Sequence, residues 1–118
     1  MSGRIQNEYG QIELENQTIA TIAGNAAMEC YGLVGMAYKS TTDGIFELLK
    51  RDQFTKGVKV DVEEDEAVID LFVILQYGTK ISVVANNIID KVKYSVENMT
   101  GITVSKVNVH VQGVRTQK

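Results

Sequence analysis

The stretch GVKVDVEEDEAVIDLFVILQYG, Gly57 to Gly78, decides the fold. Its first half sets Val58, Val60 and Val62 against Lys59, Asp61 and Glu63. That period of two is the pattern of a strand with one buried face. Glu63-Glu64-Asp65-Glu66 reads as a turn, and Val68 to Tyr77 as the return strand of a hairpin. The return strand is apolar on both faces apart from Asp70. If Ile69, Leu71, Val73 and Leu75 face a core, Phe72 and Ile74 face the other way.

Downstream, Gly78-Thr79 leads into a long helix whose apolar stripe is Ile81, Val84, Ala85, Ile88, Val92, Val96 and Met99. Gly101 supplies the stop, and Ile102 to Val114 predicts a final strand in which Val107, Val109 and Val111 alternate with polar residues. Upstream, Gly10 to Glu15 also alternates and predicts a strand, with Asn16 as the cap of a first helix. Ile19, Ile22, Ala23, Ala26, Ala27 and Cys30 form one face of that helix, and Gly32 sits where a left-handed cap is wanted. Val34 to Tyr38 reads as a short strand and Ile45 to Lys50 as a short helix burying Ile45, Leu48 and Leu49. Two main helices can cover only one face of such a sheet. The expected architecture is an α+β two-layer sandwich, a mixed sheet with both helices on one face, forming a single domain over residues 1–118.

The bulk properties narrow the function classes. A chain of 118 residues can bury a sufficient core without a disulfide or metal, and 44% hydrophobic with 23% charged residues is ordinary globular composition. The formal charge of -3 gives no global positive field for nucleic acid or an acidic membrane. Cys30 is the single cysteine, which suits a reducing compartment. Residues 1–8 lack the shape of a signal peptide, and the longest apolar run, Val68 to Leu75, is too short to span a bilayer. A soluble cytoplasmic protein is expected, reaching a membrane only through a partner.

The search for chemistry finds no catalytic site. His110, the one histidine, could act as a base, but no spacing brings a nucleophile or orienting acid to it, and it reads as an exposed strand residue. Cys30 lies on an apolar helix face beside Glu29, the wrong setting for a reactive thiol. One His and one Cys cannot assemble a four-ligand zinc site, and Glu63 to Glu66 lacks the spacing and central glycine of a calcium loop. No glycine-rich phosphate loop occurs. The expectation is a non-enzyme without cofactor or metal.

Two binding readings remain. Gly32-Leu33-Val34-Gly35 has the G-x-x-G spacing with which KH domains clamp a nucleic-acid backbone, although its inner positions are apolar. The other reading is a protein contact on the outer sheet face. There Phe72 and Ile74 would be rimmed by Lys59, Asp61, Lys106, Asn108 and His110, an apolar centre with a polar border. Phe72, Ile74, Lys59 and His110 are the candidate interface, with weak self-association expected. Loops or the short second helix covering Phe72 and Ile74 would remove it.

Several segments also resemble a known family. Gly10 to Leu14, Ile19 to Ala27 and Gly32 to Met36 look like the first half of the alkaline shock protein family, the Gls-type envelope stress response proteins of Gram-positive bacteria. The second half fits better: Lys56 to Val60, Gln76-Tyr77-Gly78, Met99-Thr100-Gly101 and the closing Val107 to Val114. The likeness covers about residues 8–114, on packing and turn residues without a catalytic signature. It implies a cytosolic, non-enzymatic protein of cell-envelope homeostasis. It also implies self-association and recruitment to the membrane by a small membrane-anchored relative. The chain departs from stress-induced members in having almost no charged tail after Val114.

Overall fold

The computed structural model describes residues 2–39 and 46–116, with the backbone alone described over 2–14 and at 39, 46, 47 and 51. In chain order these form α1 (Ser2–Met28), β1 (Leu33–Lys39), β2 (Phe46–Leu48), a 3-10 segment (Arg51–Gly57), β3 (Val58–Glu63), β4 (Glu66–Gln76), α2 (Ile81–Thr100) and β5 (Thr103–Arg115). The architecture is α+β, with two main helices and one sheet.

β4 organises the sheet. β3 pairs antiparallel with its first half, from Val58↔Leu71 to Glu63↔Glu66. β1 pairs antiparallel with its second half, Leu33↔Leu75 to Met36↔Val73, and β2 extends the sheet from β1. β5 runs parallel along the whole of β4, from Glu66↔Thr103 to Gln76↔Arg115, so the sheet is mixed. β1 and β3 therefore lie end to end on one edge of β4, with β5 on the other. Gly57 sits at their junction. A Cβ there would stand 2.8 Å from the Ala37 carbonyl oxygen and 3.3 Å from that of Phe72, so a side chain would push β1 away from β3.

The hairpin lies where alternation placed it, closed by Glu64 and Asp65 with φ of 52° and 66°, the left-handed conformation a two-residue hairpin turn requires. α2 buries Val84, Ile88, Val92 and Val96. Its stripe is shorter than expected, because Ile81 and Met99 at the helix ends are 45% and 70% exposed. Gly101 caps α2 at φ 78°, its N–H donating to the Glu97 carbonyl. The Glu97 carboxylate also accepts the Val104 N–H at 2.9 Å, tying the end of α2 to the start of β5. The core joins Ile19, Ala23 and Ala27 of α1 to Ile69, Leu71, Val73 and Leu75 of β4 and to the α2 stripe.

Two expected elements differ. Gly10 to Glu15 is helical, part of a 27-residue α1, and Asn16 lies inside that helix instead of capping it. Alternation over six residues is a weak signal that the helix on its C-terminal side overrides here. A helix nucleated over residues 16–28 extends at little cost through Gln11, Glu13 and Leu14, good helix formers. In the predicted helix Ile45 to Lys50, residues Phe46–Leu48 form β2 instead, while Ile45 lies outside the described residues. Pairing with β1 over three positions satisfies backbone groups that an isolated turn of helix would leave open. Leu49 is packed against the core as expected, but Leu48 is 37% exposed.

Candidate protein-interaction surface

The face of the sheet away from the helices gathers residues that are distant in sequence. β4 presents Asp70, Phe72 and Ile74 at alternate positions. The parallel register sets Asn108 beside Asp70 and His110 beside Phe72, and the β3 register sets Lys59 beside Asp70. The Asp70 Oδ1 accepts from Asn108 Nδ2 at 2.9 Å and lies 2.9 Å from His110 Nε2. A carboxylate oxygen can only accept, so Nε2 carries the proton in this contact. The His110 ring stacks on Phe72 with centroids 4.6 Å apart and planes 14° from parallel. The Lys59 ammonium stands 5.8 Å from the Phe72 centroid, at the outer reach of a cation–π contact. The hydrogen bond from His110 is the main cause holding the Asp70 carboxyl below its ordinary pKa, with smaller help from Asn108 and the charges of His110 and Lys59, while partial burial opposes it.

Of the four expected interface residues, three meet at the surface. Lys59 is exposed, and Phe72 and His110 are half-buried, the His110 side chain 41% exposed. Ile74 is the exception. It points away from the helix-side core yet is 2% exposed, so it cannot serve as a surface contact. Its register partners are Gly35 and Gly113, and Leu48 packs so closely over Gly35 that a Cβ there would approach it to 2.8 Å. That end of the outer face is roofed, and the open part is centred on Phe72. Asp70, which bonds the His110 ring, and Asn108, which donates to Asp70, were visible in the sequence only as polar neighbours on the same face.

The other motifs resolve plainly. Gly32 follows α1 at φ 91°, and its carbonyl accepts the Gln76 N–H at 2.7 Å. Leu33 and Gly35 are paired into β1, and both glycines are buried. The G-x-x-G segment is thus a turn and strand entry, whereas a backbone clamp needs an open loop between two helices. Cys30 is partly buried, its thiol donating to the Ala26 carbonyl at 3.5 Å, and burial above all pushes its pKa up. Among the described residues no group of three metal-ligating side chains converges. A cavity of about 330 Å³ lies elsewhere, lined by Asn16, Gln17, Ala20, Thr55, Val58 and Val60. No described helix is long and apolar enough to cross a membrane.

These features define a two-layer α+β module whose distinctive surface is an aromatic and polar patch on the side of its sheet away from the helices. The chain belongs to the alkaline shock protein 23 family, described as having a cell envelope-related function, whose model matches residues 4–116. It is 48% identical over 116 residues to the uncharacterized protein YloU of Bacillus subtilis, covering 98% of this chain and 97% of that protein. It is 39% identical over 116 residues to the uncharacterized protein Spy1614 of Streptococcus pyogenes, covering 98% and 96%. A stress response regulator gls24 homolog of Streptococcus pyogenes is 26% identical over 109 residues, 92% of this chain and 61% of that longer protein. No solved structure matches. The family and its Gram-positive relatives agree with the alkaline shock resemblance read from the sequence.

Proposed function

We propose that this chain is a non-enzymatic protein-interaction module of cell-envelope homeostasis or stress response. It self-associates weakly and is held at the inner membrane face by a partner, of which a small membrane-anchored relative is the expected kind. The observation that carries this reading is the outer-face patch. Phe72 stacks on His110, His110 is hydrogen-bonded to Asp70, Asp70 also accepts from Asn108, and Lys59 stands over the Phe72 ring. An aromatic surface held rigid before contact loses little side-chain entropy on association, which favours binding. His110 and Asp70 by themselves resemble two members of a catalytic relay. In the described geometry their bond serves to orient a ring at an open surface, so the same groups suit recognition.

Burying a fully exposed Phe contributes roughly 1.5–3 kcal/mol, and half-buried Phe72 gains only part of that per contact, too little for a tight complex once association entropy is counted. Assembly through this face is therefore concentration-dependent. Sedimentation of the wild type should show average mass rising with concentration, and Phe72→Glu should lower that rise while circular dichroism stays unchanged. If the folded mutant assembles as well as the wild type, this face is not the contact. Salt-dependent binding of the pure protein to RNA would favour the clamp reading instead.

A further inference from the structure

β5 is the longest strand of the sheet at 13 residues, and among the described residues β4 is the only strand it pairs with, while near its start the Val104 N–H is taken by the Glu97 carboxylate. Its other side presents a row of backbone donors and acceptors, a template for another strand. The usual protections of such an edge are sparse here. The chain has no proline, and Lys106 is the one charged residue between Thr103 and Val114. Irregularities interrupt the register only near the two ends, between Ala67 and Val68 and between Val73 and Ile74 on the partner strand. Between them Lys106 to Val111 runs as regular strand. Val109, Val111 and the α2 residue Ile89 are only partly buried at this margin of the core.

We infer that the outer edge of β5 receives the β5 of a second copy of this chain, antiparallel and two-fold symmetric about Val109. This goes beyond the outer-face contact proposed above and rests on the reading of the chain as a self-associating module. Directly opposed residues must share a face, which limits the regular segment to registers centred on Asn108 or on Val109. Centring on Asn108 sets Lys106 against His110 of the other copy. Centring on Val109 sets Lys106 against Gln112, Asn108 against His110 and Thr103 against Arg115, with no like charges opposed. On the core side it pairs Val107 with Val111 and Val109 with itself, closing the margin where these valines are half-covered. The result is one sheet continuous through two copies, joined by about six to eight backbone hydrogen bonds along the regular segment. It leaves Phe72 and Lys59 on its surface for the second contact.

The test is cysteine cross-linking in a Cys30→Ala background, with thermal melts to confirm folding. Opposed residues in an antiparallel pair stand about 4.5–5.5 Å apart, within the reach of a disulfide. Val109→Cys should form covalent dimers on mild oxidation, at least about tenfold more than Val107→Cys, whose facing residue is Val111. Mixing Val107→Cys chains with Val111→Cys chains should give hetero-dimers over homo-dimers, which keeps the test sound if Val109→Cys folds poorly. Adding Phe72→Glu should leave all of this linking intact. Equal linking at Val107 and Val109, or no linking by protein that sedimentation shows to be associating, overturns the edge pairing and leaves the outer-face reading standing. A wild type that stays monomeric at all concentrations overturns both. Purified chains that remain unlinked because a different protein fills the edge also overturn it.

Discussion

On the helix side of β4, Ala67, Ile69, Leu71, Val73 and Leu75 are each 0% exposed, whereas on the other side Val68, Asp70 and Phe72 are half-buried and Ile74 alone is closed, at 2%. One strand thus meets two environments although, Asp70 apart, its central residues are apolar on both sides. The helix side is covered by amphipathic α1 and α2, and hydrophobic burial there needs no particular partner. Among the described residues, the other side is covered most fully where β2 and its Leu48 reach, near Gly35. Apolar character alone does not tell a buried position from a contact surface. What separates Ile74 from Phe72 is what lies above each of them.

This contrast can be broken by mutation, beginning with the largest effect. Leu71→Ala should cost toward the upper end of about 2–5 kcal/mol, read as a shift of the urea midpoint, because it leaves a cavity beneath both helices. Ile74→Ala should fall in the lower half of that range, since its roof is thinner. If it costs under about 0.5 kcal/mol, Ile74 behaves as surface and the division between roofed and open ends is misplaced. Phe72→Ala should cost about 1 kcal/mol, with its main effect on assembly. A loss as large as that of Leu71→Ala would make Phe72 a core residue.

The smallest effect concerns Asp70, and its sign follows from linkage. Its carboxyl is held below its ordinary pKa in the folded chain, so the unfolded chain takes up a proton first as pH falls. The stabilisation is fully present above the unfolded pKa and is lost as pH falls through the folded one. Wild type should therefore lose stability relative to Asp70→Asn between about pH 5 and pH 2, while at neutral pH the two differ by under about 1 kcal/mol. A stability difference that stays constant with pH would mean that the His110 contact does not persist in solution.

Much of the fold was legible in the sequence for a physical reason. The hairpin, the stripe of α2, Gly101 and the valines of β5 follow from periodicity and backbone conformation, which are local properties. The misreadings lie where local preference met a non-local condition. Gly10 to Glu15 alternates like a strand but continues the helix that follows it, and Phe46 to Leu48 becomes a strand because β1 is there to receive it. The surface patch was legible as a face, through the parity of Lys59, Phe72 and His110. The Asp70 to His110 contact was not, because it depends on a parallel register joining residues 40 apart in sequence.

The end-to-end placement of β1 and β3 along β4 has a consequence for how the molecule opens. β1, β3 and β5 each hydrogen-bond to β4, while among the described residues β2 reaches the sheet only through β1. Losing β4 therefore detaches every other strand, and amide protons shared among these four strands exchange with solvent through one common, nearly global opening. β2 can peel away without disturbing β4. The same movement uncovers the roofed end of the outer face, joining the shape of the surface patch to the least protected strand of the sheet.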